Sequence, residues 1–191
     1  ENLGVNAIEL MPVTEFDGNY NWGYSPNHYF ALDKAYGTPE QLKAFVDECH
    51  KRGIAVILDM VFNHATGLNP MNKLYPYGTE LAHNPWFNVT APHSDNVYED
   101  WNHDFELTKL MFTRALQYWL KEYKIDGYRM DLSHGLCGTT NNAMTHIADY
   151  YNNGKQISEE IQNQIFENLK GLEEIQGKKF GDTSDPLLVS V

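Results

Sequence analysis

A chain of 191 residues, 42% hydrophobic and 21% charged, carries enough apolar matter for about one folded domain and excludes a disordered polymer. Its apolar runs all fall short of the roughly 18 residues that a membrane span requires. A formal net charge of −12 argues against nucleic acid or anionic lipid as partner, while leaving an uncharged ligand unopposed. The 13% aromatic content suits flat neutral ligands such as sugars, although aromatic residues also fill cores.

Glu1-Asn2-Leu3-Gly4 opens the chain without an initiator Met or a signal peptide, as a piece of something longer would. Val5 to Met11 is an apolar run closed by Pro12 and reads as a buried strand. Asp17 to Asn27, rich in Gly, Asn and aromatics, reads as a loop. Thr38-Pro39-Glu40-Gln41 is a capping-box helix start with Pro at the first helical position. Leu42, Phe45, Val46 and Cys49 then keep helical spacing, and Gly53 supplies the stop. Ile54 to Phe62 is apolar apart from Asp59, as in a parallel strand covered on both faces.

Ala65 to Asp104 shows little periodicity, and a loop that long inside a compact domain is usually functional. A second helix is predicted from Glu106 to Tyr123, with Leu107, Leu110, Met111, Ala115 and Tyr118 on its apolar stripe. The strand Ile125 to Asp131 follows. Ile157 to Ile175 reads as a charged amphipathic helix, Gly177 to Pro186 as a turn region, and Leu187 to Val191 as the start of another strand. Strand, helix, strand, long insertion, helix, strand is the order of a parallel α/β sheet or barrel. The two cysteines, Cys49 and Cys137, make no disulfide framework, and Cys49 reads as a buried free thiol.

Chemistry concentrates at two strand ends. Alternate residues share a strand face, so Gly127, Arg129 and Asp131 point to one side. A charge pair on an otherwise buried strand is costly unless it is matched and used. Arginine there also supplies the counter-charge for a nucleophilic carboxylate. On the preceding strand Asp59, Val61 and Asn63 share a face, and His64 lies just past its end. Polar residues at the carboxyl ends of such strands build active sites. Asp59 alone reads equally well as a buried carboxylate satisfied by backbone. Beside Asn63, His64, Arg129 and Asp131 the functional reading prevails, with Asp59 holding the guanidinium fork of Arg129.

Other groupings are weak. His103, Asp104, Glu106 and nearby Asp100 could be drawn as a metal site, but a helix start with acidic residues in its first turn explains them better. Asn88-Val89-Thr90 is a glycosylation sequon by letter only. The chain has no phosphate-cradling Gly loop, zinc spacing or Gly-x-Ser-x-Gly elbow, which disfavours a sugar-phosphate enzyme.

Asp59-x-x-x-Asn63-His64 and Gly127-x-Arg129-x-Asp131 resemble the first two signature regions of the α-amylase family of glycoside hydrolases, in that family's order. The segment between them stands where the family carries its domain B. Leu3 to Val13 resembles the family's second strand, and Asn21-Trp22-Gly23-Tyr24-Ser25-Pro26, Tyr36-Gly37 and Gly53 are also similar. The resemblance covers about residues 3 to 140 and is nearest to branching enzymes, trehalohydrolases and isoamylases.

The resemblance implies an α/β fold that is a partial (β/α)8 TIM barrel, holding about strands 2 to 4 or 5. Residues 1–64 would carry the second and third strands, 65–105 a short domain B-like insertion, and 106–191 the fourth strand, a divergent tail and a fifth strand. It implies a retaining hydrolase or transglycosylase acting on α-glucans such as starch, glycogen and maltooligosaccharides by double displacement. Asp131 would be the nucleophile and Arg129 would orient it. His64 would bond hydroxyls of the sugar at the cleavage subsite, and Tyr24 would stack on that sugar. His134 falls where relatives place Lys or His near the acceptor sugar, and reads equally as a loop histidine. Trp22 reads equally as packing or substrate contact. Asn63 occupies a position that ligates structural calcium in many relatives. Branch-point relatives often lack that ion, so no cofactor is expected and calcium stays the alternative.

A retaining glycosidase needs two carboxyl groups about 5–5.5 Å apart. The family's acid is a Glu ending the next strand, and Glu159, Glu160, Glu173 and Glu174 sit instead in a solvated helical pattern. A barrel of this kind takes roughly 250 residues. The chain by itself is therefore expected to be catalytically incomplete, at most an α-glucan-binding module.

Overall fold

The computed structural model describes residues 3–74 and 84–136 and, as backbone, a strand at 188–189. Its strands are β1 (Ala7–Leu10), β2 (Thr14–Phe16), β3 (Pro26–Leu32), β4 (Ala55–Met60), β5 (His64–Ala65), β6 (Glu99–Asp100), β7 (Gly127–Met130) and β8 (Leu188–Val189). The helices are α1 (Pro39–Lys51), α2 (Pro70–Leu74) and α3 (Glu106–Tyr123). The main sheet runs β1-β4-β7-β8 and every pairing in it is parallel. The sheet shows no closed barrel among the described residues. The predicted tail helix and turn, Cys137 and the four tail glutamates lie outside those residues, whereas β8 falls within the strand read at Leu187 to Val191.

Local sequence explains the helices' limits. Thr38 Oγ1 accepts from the Gln41 backbone N–H at 3.3 Å and Gln41 Oε1 accepts from that of Thr38 at 2.8 Å, which closes the capping box over Pro39. The helix buries Leu42, Val46 and Cys49 against the sheet, and Cys49 is a free thiol. α3 ends at Lys124 in the left-handed conformation, its N–H returned to the Leu120 carbonyl. The apolar stripe predicted for α3 needs correction. Leu107 and Leu110 are 49% and 43% exposed, while the buried face carries Thr108, Phe112, Thr113, Ala115, Trp119 and Tyr123. Large aromatic rings set the inward face, and two threonines go in with them.

A second correction concerns Pro26–Leu32, which the sequence left partly in a loop. It is β3, paired antiparallel with β2 through bulged register. Tyr29 points inward and its neighbours His28 and Phe30 outward, the alternation of a half-buried strand. Tyr29 is also the hub of the core under the sheet's carboxyl ends. Its ring packs edge-on against Phe62, Trp101 and Phe112, with centroids 5.6, 6.0 and 4.9 Å away. Its hydroxyl donates to the His64 carbonyl and accepts from Trp101 Nε1, both at 2.9 Å.

Trp101 thereby fastens the insertion to the sheet. β6 pairs with β5 at His64↔Asp100, and Trp101 N–H donates to the Asn63 carbonyl at 3.1 Å. Asn88 Nδ2 donates to Asp100 Oδ2 at 2.7 Å and to the Trp101 carbonyl at 3.2 Å, so the sequon amide is an internal strut. His103 is fully buried, bonded through Nε2 to the Phe62 carbonyl at 2.8 Å and stacked on Phe112. Among the described residues no group of three or more His, Cys, Asp or Glu could hold a metal, and no helix is long and apolar enough to cross a membrane.

Candidate active site

Parallel register sets the site. Asp59 on β4 lies beside Arg129 on β7, and the Asp131 N–H, one residue past β7, donates to the Met60 carbonyl at 2.9 Å. Three strand-end side chains therefore share one edge of the sheet. Arg129 Nη1 donates to Asp131 Oδ1 at 2.7 Å and to Asp59 Oδ2 and Oδ1 at 2.9 and 3.1 Å. One terminal nitrogen thus straddles two carboxylates, where the sequence suggested a fork against Asp59. Burial works against the guanidinium's charge, but its bonds to Asp131 and Asp59 outweigh that and hold it charged throughout the working pH range. Asp131 Oδ2 has no hydrogen bond among the described residues.

Asp59 is almost wholly buried, and desolvation raises its carboxyl above the usual range against the pull of its bonds from Tyr24 and Arg129. Tyr24 Oη donates to Asp59 Oδ2 at 2.7 Å. Burial first, and that bond second, push the phenol up to about 12, so it keeps its proton at neutral pH. Gly23 lets Tyr24 enter here. Its φ of 95° is a left-handed conformation, and a Cβ would overlap the Pro12 carbonyl.

His64 is 1% exposed, with both ring nitrogens engaged. Nε2 donates to the Tyr24 carbonyl at 2.9 Å and Nδ1 accepts from Asn63 Nδ2 at 3.0 Å, which together fix the tautomer. Burial lowers the imidazole's affinity for a second proton. The group read as a hydroxyl-binding residue is held in place here by the Tyr24 backbone carbonyl and the Asn63 amide. Asn63 Nδ2 also donates to the Asp95 carbonyl at 3.1 Å, while its buried Oδ1 has no hydrogen-bond partner and abuts Gly135, where a Cβ would overlap it.

Tyr24, Asp59, Asn63, His64, Arg129 and Asp131 consequently form one bonded network. Trp22 is 73% exposed, and the His134 side chain 89%. His134 Nδ1 lies 4.0 Å from Asp95 Oδ2. Sequence reasoning missed Asp95 and Tyr98, whose ring centroid is 5.6 Å from that of His64. Both lie in the aperiodic stretch, where spacing carries no information about contact.

Two carboxylates around one arginine, at the carboxyl ends of parallel strands, define a chain of the parallel α/β enzyme class, where active sites occupy that edge. Comparison with known proteins narrows the class. Residues 1–108 match the family described as "Alpha amylase, catalytic domain". The chain is 36% identical over 153 residues to a malto-oligosyltrehalose trehalohydrolase of Saccharolobus solfataricus, covering 78% of this chain and 25% of that protein. It is 32% identical over 182 residues to the 1,4-alpha-glucan branching enzyme GlgB of Halothermothrix orenii, covering 92% of this chain and 26% of that enzyme. A pullulanase from Anoxybacillus sp. LM18-11, solved with maltotetraose, superposes with a TM-score of 0.67 at 28% identity, over 82% of this chain and 24% of that one. The chain belongs to the α-amylase family of glycoside hydrolases, and it spans about a quarter of the length of these relatives.

Proposed function

We propose that the protein to which this chain belongs is a retaining hydrolase or transglycosylase of α-glucans, with Asp131 as its nucleophile. The observation that carries this is the shared Arg129, which fixes Asp131 through Oδ1 and leaves Oδ2 without a hydrogen bond among the described residues. Oδ2 attacks the anomeric carbon, the glycosidic bond breaks, and the leaving oxygen takes a proton from a general acid. Water or a sugar hydroxyl then displaces the carboxylate from the β-glycosyl ester with retention overall. Asp59 and Tyr24 hold Arg129 in place, and the Tyr24 ring flanks the sugar. Trp22 and His134 contact substrate. The sheet corresponds to strands 2 to 4 or 5 of a (β/α)8 barrel, with residues 65–105 as its inserted domain.

Calcium takes 6–8 oxygen ligands at roughly 2.3–2.6 Å. At Asn63 the amide nitrogen is committed to the Asp95 carbonyl and His64, whereas the buried Oδ1 has no hydrogen-bond partner and is the atom of this side chain that such an ion would use. No step is assigned to a metal.

The test is trapping in the full-length parent with a 2-fluoro glycosyl fluoride, read by mass spectrometry of the peptide carrying Asp131. Asp131→Asn should abolish labelling and lower kcat by about a thousandfold or more, roughly 4 kcal/mol of transition-state stabilisation. Labelling at another residue overturns the assignment.

A second reading concerns this chain alone, as a non-catalytic α-glucan-binding piece. Among the described residues the carboxylate in Asp131's network is Asp59, and its oxygens are already committed to Arg129 and Tyr24.

A further inference from the structure

Tyr98 combines three properties that a purely structural residue would not need together. Its side chain is large and apolar, yet it is 60% exposed. Its backbone is left-handed at φ 50°, a conformation disfavoured for a bulky residue and usually left to Gly or Asn. Its ring lies 5.6 Å from that of His64, with the planes tilted by 40°. Strain of this kind gathers where a side chain must be held in a particular place.

The place is fixed from both sides. Glu99, the next residue, begins β6, whose pairing with β5 sets Asp100 against His64. Three residues earlier, the Asp95 carbonyl receives the Asn63 amide and its carboxylate approaches His134. The turn 95–98 therefore arches between His134 and His64. Tyr24 meets the same histidine through its carbonyl. With both nitrogens bonded, His64 serves as the support between two tyrosines, and the exposed ring of Tyr98 is left facing outward.

We propose that Tyr98 is a sugar-stacking residue contributed by the insertion, whose ring takes the apolar C–H face of a glucosyl unit and sets the preference for longer chains. Aromatic faces bury such patches of a neutral sugar without needing charge, so the overall charge of −12 does not oppose the contact. This rests on the α-glucan reading above and deepens it.

The experiment uses the full-length parent and compares maltose with maltohexaose. For Tyr98→Ala the KM for maltohexaose should rise about tenfold, with the loss in KM exceeding that in kcat, and the preference over maltose should collapse. Tyr98→Phe keeps the ring and should keep the preference. Tyr98→Gly removes both ring and backbone strain. It should lose the preference as the alanine variant does while melting no lower than wild type, which separates stacking from folding. Equal losses on the two substrates, or a loss confined to kcat, overturn the proposal and make the ring a structural cover for His64. A wild-type parent that turns over neither sugar and leaves Asp131 unlabelled overturns the underlying reading instead.

Discussion

Gly135 shows how little room one residue of the frame has. It follows Asp131 by four positions, on a turn that begins with Leu132 at φ 72° and closes with the Gly135 N–H donating to the Leu132 carbonyl at 2.7 Å. A methyl group here meets Asn63 Oδ1, and Asn63 in turn holds His64 and the Asp95 carbonyl. Gly135→Ala should cost about 1–3 kcal/mol in urea unfolding, the usual penalty for overpacking. In an Asn63→Ala background the same substitution should cost much less, because the clashing oxygen is gone and only the Cβ of residue 63, at 3.1 Å, stays close. A double-mutant cycle measures this coupling, and additive effects would show that the two residues do not share the strain. Asp59 and Arg129 were each readable as strand-end residues from alternation, and the need to match a buried charge suggested their pairing across 70 residues. The bond from Tyr24 to Asp59, across 35 residues, was not readable, because nothing in local spacing encodes a long-range hydrogen bond.

At the scale of elements, α1 is tied to the sheet end away from the site. His50 in its last turn bonds Asp126 Oδ2 at 2.8 Å, and the same oxygen receives the Val56 N–H at 2.7 Å. The bond to Asp126 raises the His50 pKa against the effect of burial, with Asp126 and Asp47 adding their charges. The folded chain thus holds this proton more tightly than the unfolded one. The contribution is fully present below the unfolded value of about 6.5 and is lost as pH rises through the higher folded value. His64 has the opposite sign, since burial lowers its pKa, and its stabilising effect fades as pH falls below about 6.5. Thermal melts of His50→Gln across pH should lose the decline on the alkaline side and keep the one on the acid side. The capping box made α1 legible in advance, whereas the inward face of α3 was misjudged. Leucine spacing is a weak guide when Phe112 and Trp119 compete for the same core.

For the whole molecule, the sheet is open among the described residues. β1 pairs there with β4 alone, and its Ile8 and Leu10 are only half-buried although both pack on the core. Edges of this kind are normally closed by further strands. Taken with Asp59 and Asp131 both bound to Arg129 among the described residues, this predicts that the purified 191-residue chain releases no reducing sugar from maltooligosaccharides while the full-length parent does. Turnover by the short chain would refute the division of labour between nucleophile and acid. The parallel order was legible because each helix and strand carries its own pattern. The β2–β3 pair was not, since its strands are short, bulged and rich in polar residues.

The strut at Asn88 has a consequence for how the protein could be made. Its amide nitrogen is the acceptor atom of a sequon and also the donor to Asp100 and Trp101. In a eukaryotic secretory host, oligosaccharide transfer and closure of the insertion would compete for the same nitrogen. A glycan found there would be a record of chains modified before they folded, and its occupancy a clock for how quickly the insertion closes.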